Sequence, residues 1–416
     1  MITLIVMSFC CMFMLVMISF VLGFHKGIIG NSVKSGTGHI QIHRTGFQSR
    51  LSPEYYLEGS DSLKKILEEE NLIQHYAMRI KGLGLLSYTA KAQNFTMIGI
   101  QPEAESKISL FYKKKTSTVK GPLIEGEYLT EKDHEEGYPD GDSTKEFRLP
   151  GLLIGCKTAS KFGINIGSKV VCTIQSLKGE IKQQLLVVRG IFKTLDDTYD
   201  RNAAFIHYKT AQKILDYSDK GYFSEIVVLA QDYSQMKPLA QNLRQKLAPE
   251  TYEIFTWDDL NSTSLGFMKL QKVFLSIYIG ILLAIAAVGI SITVLMSIFE
   301  RVIEFGVMRA VGMSNFRLIA LILIESEWMA FISCILGGIM AFPSCYYLQN
   351  YGLDLSKFAE AASITPITLD ATIYADVRFF SVLFCFAILL LLAFVVSLYP
   401  AIKASKIRIV EALTFV

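Results

Sequence analysis

Long stretches of this chain carry no charge. The first 24 residues contain no Asp, Glu, Lys or Arg, and Val273 to Ile298 runs 26 residues without one. At about 1.5 Å of rise per residue, each run exceeds the roughly 30 Å hydrocarbon core of a bilayer. With 51% hydrophobic residues among 416, an ordinary soluble domain is excluded and several membrane spans are expected. An excess of either charge sign is also missing. The 41 Lys+Arg face 38 Asp+Glu, and residues 27–268 hold 30 and 29 of them. That balance marks a soluble domain between apolar runs and excludes a nucleic-acid binder and an acidic trap.

Other absences narrow the chemistry. No basic segment or small-residue cleavage site accompanies Ile2–Phe24, so it reads as an uncleaved helix and not a signal peptide. A phosphate loop of the Walker type is missing: Gly151 to Thr158 reads GLLIGCKT, with Cys156 between the Gly and Lys that must be adjacent. His39 and His43 share a strand face with Gln41 and read as a solvated face, not a metal site. The acidic run 131–142 lacks the calcium-loop spacing and reads as a solvated loop. Five of the seven cysteines, Cys10, Cys11, Cys334, Cys345 and Cys385, fall in or beside apolar runs as small hydrophobes. Cys156 and Cys172 lie in the soluble domain, and nothing fixes a disulfide between them. No catalytic residue, no metal site and no cofactor is therefore expected.

Residues 299–317, FERVIEFGVMRAVGMSNFR, form a short amphipathic loop between two apolar runs, with Arg301, Arg309 and Arg317 against Glu300 and Glu304. Two further spans follow, near 318–348 and 379–400. The intervening 349–377 is mostly acidic, with Lys357 against Asp354, Glu360, Asp370 and Asp376, whereas the tail carries Lys403, Lys406 and Arg408 against Glu411. The basic asymmetry puts 299–317 and the tail on the cytoplasmic side and 25–272 outside, in the periplasm of a two-membrane bacterium. Glu325 and Glu327 stand inside the third span, where a carboxylate is costly unless neutral or partnered.

Within 25–272 the period changes. GHIQIHR at 38–44 alternates as a strand, a helix is expected near 60–72, and HYAMRIK at 75–81 is a second strand. The order returns as SEIVVLA at 224–230, a helix near 234–247 and TYEIFTW at 251–257. Two βαβ halves, 25–81 and 224–257, thus bracket a β-rich insert at 82–223.

The run Glu304, Gly306, Arg309, Ala310, Gly312 and the closing Tyr399-Pro400-Ala401, with Val410-Glu411-Ala412-Leu413, resemble the two signatures of the FtsX-like permeases, the group of MacB and of LolC and LolE. Ile98-Gly99-Ile100, the turn at Pro122–Gly126 and the segment 153–170 resemble the periplasmic domain of that group. Related permeases carry a short basic segment before the first helix that this sequence lacks. The resemblance implies a four-helix membrane protein with a split porter-like α+β domain carrying a β-rich insert. Its parts would be span 1 at 1–24, the domain at 25–272, span 2 at 273–298, the loop 299–317, span 3 at 318–348, an outer loop at 349–378, span 4 at 379–400 and a tail at 401–416. It further implies the permease subunit of an ATP-binding cassette transporter in the bacterial inner membrane. ATP would be bound by a separate cytoplasmic ATPase, and the permease would pair with itself or a related permease. The coupling residues would be Glu304, Gly306, Arg309 and Gly312. Motion would be transmitted from 299–317 to the periplasmic domain to release lipoproteins towards the outer membrane. Export of periplasmic peptides or drugs, as by MacB, and regulation of wall hydrolases, as by FtsX, are the alternatives. One departure stands out. Where a LolC-type chain extends a long hook, VVCTIQ at 170–175 and IKQQLLVVRGIF at 181–192 are joined here by only Ser176–Glu180.

Overall fold

The computed structural model describes residues 2–58, 61–113, 122–137, 148–194, 197–217, 221–354 and 372–406. The chain forms two compact units, one of Met1–Gly27, Gly266–Ala361 and Ala371–Val416, the other of Ile28–Leu265 and Ala362–Asp370.

The first unit is built on four helices long and apolar enough to cross a membrane: span 1 (Ile2–Ser32), span 2 (Ser262–Glu300), span 3 (Asn315–Asn350) and span 4 (Phe379–Ser405). Each outruns its expected limits, span 1 by eight residues. A helix keeps its own backbone hydrogen bonds when it leaves hydrocarbon, so a polar residue such as His25 or Lys26 marks the membrane edge and not the helix end. The helices meet through small residues. A Cβ on Gly337 would lie 2.6 Å from both Cys11 Cβ and the Ser8 carbonyl oxygen, which holds span 3 against span 1. Segment 374–376 seats on span 1: the Asp376 amide donates to the Ser19 carbonyl (2.9 Å), and a Cβ on Gly23 would overlap the Tyr374 carbonyl.

The second unit contains β1 (Ile40–Arg44), β2 (Leu57–Glu58), β3 (Ile73–Tyr88), β4 (Lys91–Ile100), β5 (Leu123–Gly126), β6 (Gly151–Gly155), β7 (Lys169–Gln175), β8 (Ile181–Phe192), β9 (Ala203–His207), β10 (Tyr222–Phe223), β11 (Glu225–Ala230) and β12 (Tyr252–Thr256). The strands β12, β1, β11 and the first half of β3 lie side by side, all antiparallel. Helix Asp61–Glu68 connects β1 to β3, and helix Met236–Lys246 connects β11 to β12. Numbered along the chain, the four strands run 4-1-3-2, the order of a split βαβ sheet. Met236, Leu239, Ala240 and Leu243 give the second helix its buried face at spacings of three and four.

β3 is longer than expected because it serves two layers. Up to Arg79 it pairs with β11, and from Ile80 with β4. The insert then closes on itself: β3 pairs β4, β4 pairs β9, β9 pairs β6, β6 pairs β8, β8 pairs β7, and β7 returns to β3. A closed ring of six strands leaves no free edge within it. Pro122–Gly126, expected as a turn, supplies the short edge strand β5 on β8, and its bulge and the positive φ of Gly126 end the pairing there.

Candidate functional site

Span 2 ends at Glu300, where Arg301 leaves helical conformation (φ −116°, ψ 19°). The expected loop at 299–317 is largely helical: Val302–Ala310 forms a short helix before span 3 starts at Asn315. Its inner side is fixed by Val302 and Phe305, and Phe305 belongs to one buried cluster with Ile298, Leu318, Ile322, Ala401 and Ala404. Gly312, at φ +105°, stops the helix. Its amide donates to the Arg309 carbonyl and that of Met313 to the Met308 carbonyl (both 3.0 Å), the paired bonds of a glycine-terminated helix. Ser314 then caps span 3, accepting from the Arg317 amide at 3.4 Å.

The sequence-selected residues divide by position. Gly306 is buried in the short helix, Glu304 is exposed, and Arg309 is half-buried. Arg301 joins the two carboxylates that matter here: Nε donates to Glu304 (3.0 Å), and Nη1 reaches both oxygens of Glu325 at 3.3 Å. Glu325 is therefore partnered at the loop end of span 3. Glu327 is not. Its Oε1 is buried with no hydrogen-bond partner among the described residues, in an open groove of about 450 Å³ lined by Leu323, Trp328, Phe331, Leu390 and Phe394. Ala401 and Pro400 are buried and Tyr399 is exposed, while Val410 to Leu413 lie outside the described residues.

A feature of the same segment went unnoticed in the sequence. Ile303 and Val307 on the short helix and Val311 just past its end, spaced by four, are exposed, Val311 by 85%, and Phe316 in the first turn of span 3 is exposed by 79%. The spacing was there to be found, masked by the charged residues between.

In the second unit a group of charges is buried at the seam of β3. Arg79 donates through Nε and Nη2 to Glu105 (2.8 and 2.6 Å) and through Nη1 to Glu225 (3.3 Å) and the Gly36 carbonyl (2.5 Å). Lys81 also pairs with Glu225, and His43 Nε2 lies 3.7 Å from it. Burial would raise the Glu225 carboxyl, but Lys81, His43 and Arg79 hold it down to about 2. Burial lowers His43 to about 4, against the pull of Glu225. The expectation that His39 and His43 face solvent is thus corrected. Both are buried, His39 accepting the Ala230 amide at 3.0 Å, because β1 is an interior strand covered on both faces. The acidic run is also less open than expected: Asp133 is buried in a capping box with Thr130, and Glu136 binds Lys213 (2.7 Å), while 138–142 lie outside the described residues. Cys156 and Cys172 are both free thiols.

Residues 1–246 match the family described as MacB-like periplasmic core domain, and residues 276–409 match that described as FtsX-like permease C-terminal. The lipoprotein-releasing system transmembrane protein LolC of Neisseria meningitidis serogroup B is 22% identical over 379 residues, covering 86% of this chain and 83% of that one. LolC of Xylella fastidiosa is 20% identical over 328 residues, 77% of this chain and 72% of its own. Among solved structures, the periplasmic region of MacB from Actinobacillus actinomycetemcomitans aligns with a TM-score of 0.35 at 16% identity, over 57% of this chain and 96% of that one. Four apolar helices, a split βαβ domain with an inserted strand ring, and both family matches in this order give one conclusion: the chain belongs to the ABC transporter permeases of the FtsX, MacB and LolC type.

Proposed function

We propose that this permease couples a separate cytoplasmic ATPase to its periplasmic domain and so releases lipoproteins from the inner membrane towards the outer membrane. The observation that carries the coupling is the exposed row Ile303, Val307 and Val311 along and just past a helix whose other side is locked into the span cluster, with the exposed Phe316 following in the first turn of span 3. A short helix with one apolar face outward and charges beside it suits a groove on a partner protein. Gly306 is buried on the seated side of this helix, and Arg301 pairs with Glu304 and ties the segment to span 3 through Glu325. The arginines at this end support a cytoplasmic position for it and a periplasmic one for the second unit. The lipoprotein cargo is supported by relatives named for lipoprotein release that align over most of both chains.

Val311→Asp or Phe316→Asp should weaken co-purification of the ATPase by about tenfold or more, the usual effect of spoiling an interface anchor. Gly306→Pro removes a helical hydrogen bond at about 3 kcal/mol and should leave an inserted protein that no longer transports. Wild-type ATPase recovery and transport in these variants would sink the coupling. Mass spectrometry of proteins and lipids retained by the purified chain tests the cargo: a bound lipoprotein supports release, an adaptor with an outer-membrane channel supports MacB-like export.

The second reading has one observation in its favour. The Ser176–Glu180 turn does not project. It closes with the Ser176 amide on the Glu180 carbonyl (2.8 Å) and is tied back by the Leu177 amide to the Leu215 carbonyl (3.2 Å) and by the Lys182–Asp216 ion pair. A turn held down this way offers far less than the ~800 Å² per partner of a stable interface, so this hairpin recruits no chaperone. Photo-crosslinkers at Leu177, Lys178 and Glu180 should capture none, and capture at any of the three would reverse this.

A further inference from the structure

The exit of span 1 enters the second unit through a turn, Val33–Thr37, in which Gly36 (φ +95°, ψ 2°) breaks the helix. Its carbonyl has no place in a helical ladder and is taken instead by Arg79. We propose that Arg79 is a positioning residue for transport. By holding the Gly36 carbonyl at the seam of β3, it makes the exit turn, the split βαβ sheet and the strand ring respond to one displacement. This rests on the coupling reading given above and names the side chain that carries it.

Three observations support the role. Arg79 is the last residue of β3 paired with β11, opposite Glu225, and the next residue, Ile80, already pairs with β4. One side chain on that seam therefore touches both layers. Its remaining donors go to Glu105 on the Pro102–Ile108 helix, the first element after β4, and to Glu225 at the head of β11. The guanidinium also lies directly against the turn: a Cβ added at Gly36 would sit 3.2 Å from Arg79 Nη2, and the positive φ already disfavours any other residue there.

A need for stability does not explain this arrangement. Buried ion pairs are often replaced by apolar side chains of like volume without loss, whereas a planar fork of donors fixes directions that no apolar side chain can fix. Glu225 does not need Arg79 either, since Lys81 pairs with it and His43 stands beside it. Among the described residues, what Arg79 alone supplies is the side-chain bond to the Gly36 carbonyl.

The test uses the full complex of permease and ATPase in nanodiscs, with spin labels at Ser49, beyond β1, and Ala90, at the tip of the β3–β4 hairpin, both exposed. The half-exposed Cys156 is replaced by serine to keep labelling specific. In the parent protein a non-hydrolysable ATP analogue should shift the Ser49–Ala90 distance. Arg79→Gln should lose the shift, and so should the apolar pair Arg79→Met with Glu105→Leu, which keeps the seam packed and its thermal midpoint near the parent's. Arg79→Lys should restore part of it, and ATP hydrolysis should persist in all three. A full shift in the apolar pair overturns the role of Arg79 and leaves the coupling reading standing. A parent protein that shows no nucleotide-dependent shift takes both down.

Discussion

The two units hold their elements together with opposite chemistry. In the span unit the guanidinium–carboxylate pair Arg301–Glu325 is 47% and 42% exposed, and the helices meet through Gly337, cysteines and serine hydroxyls. In the domain the like pair Arg79–Glu105 is 2% and 0% exposed and belongs to a network of five side chains. Deleting one partner therefore does different things. Without Glu325, Arg301 still has Glu304 beside it. Without Glu105, a fully buried guanidinium keeps, among the described hydrogen-bond partners, Glu225, which it already shares, and one backbone carbonyl. The same pair is a tether in one unit and a structural joint in the other, and burial decides which.

The largest effect should come from Glu105→Ala. Breaking a buried pair costs about 3–5 kcal/mol, whereas an exposed one is worth about 0–1 kcal/mol, so Glu325→Ala should be nearly silent in stability. The chain's two tryptophans report separately, Trp257 from the domain and Trp328 from span 3. Urea unfolding in detergent followed by Trp257 fluorescence in a Trp328→Phe background measures the first loss. Equal costs for the two alanine variants would erase the contrast.

A second measurement uses pH. His43 is held at about 4 when folded, chiefly by burial, and returns to about 6.5 when unfolded. Its contribution is then fully present above pH 6.5. As pH falls towards 4 the unfolded chain takes up a proton that the folded domain refuses, and about 3 kcal/mol is lost. Glu225, held near 2, adds its own loss of the same sign as pH falls through the ordinary carboxylate range towards 2, so only the upper part of the window reports histidine alone. His39 and His207, also lowered by burial, keep a slope of the same sign. His43→Gln should flatten the curve between pH 6.5 and 4 without abolishing it. An unchanged slope would mean that His43 is not buried neutral.

These contrasts also show what could be read in advance. The spans were legible because hydrocarbon tolerates no charge over about 20 residues, and the split βαβ order because period-2 and period-3.6 runs alternate. The strand ring was not legible. Gly82 and Gly84 in β3 look like the end of a strand, yet a Cβ there would lie 2.6 Å from Ile174 and 2.8 Å from the Thr173 carbonyl. They are glycines because β7 packs close, which no local pattern reveals. Alternation misled at His39 and His43 for a related reason: a polar residue on an interior strand faces a second layer, not water. In the loop at 299–317, Glu304, Gly306, Arg309 and Gly312 stood out, whereas the exposed row Ile303, Val307, Val311 looked like ordinary helix interior. The Arg79 network joins residues 36, 79, 105 and 225, a long-range juxtaposition beyond any window.

The smallest effect sharpens the comparison from the span side. Ser326 on span 3 and Ser397 on span 4 form the hydroxyl contact between these helices, Oγ to Oγ at 2.9 Å, and both are buried. It resembles the domain's network in being polar and enclosed. Each hydroxyl, however, also has an acceptor within its own helix to which its one proton can turn, the Leu323 carbonyl (2.8 Å) for Ser326 and that of Ala393 (2.6 Å) for Ser397. Removing either leaves its partner with a local acceptor, so no orphaned group results. Neighbouring Ala330, Ala393 and Ala401 form an apolar surround that accepts alanine without strain. A double-mutant cycle of Ser326→Ala and Ser397→Ala, read by Trp328 fluorescence, should give a coupling energy of about 0.6 kcal/mol, typical of hydrogen bonds between membrane helices. A coupling several times larger would mean that the spans, like the domain, are pinned by polar groups. The apolar packing around Gly337 would then no longer be what holds them.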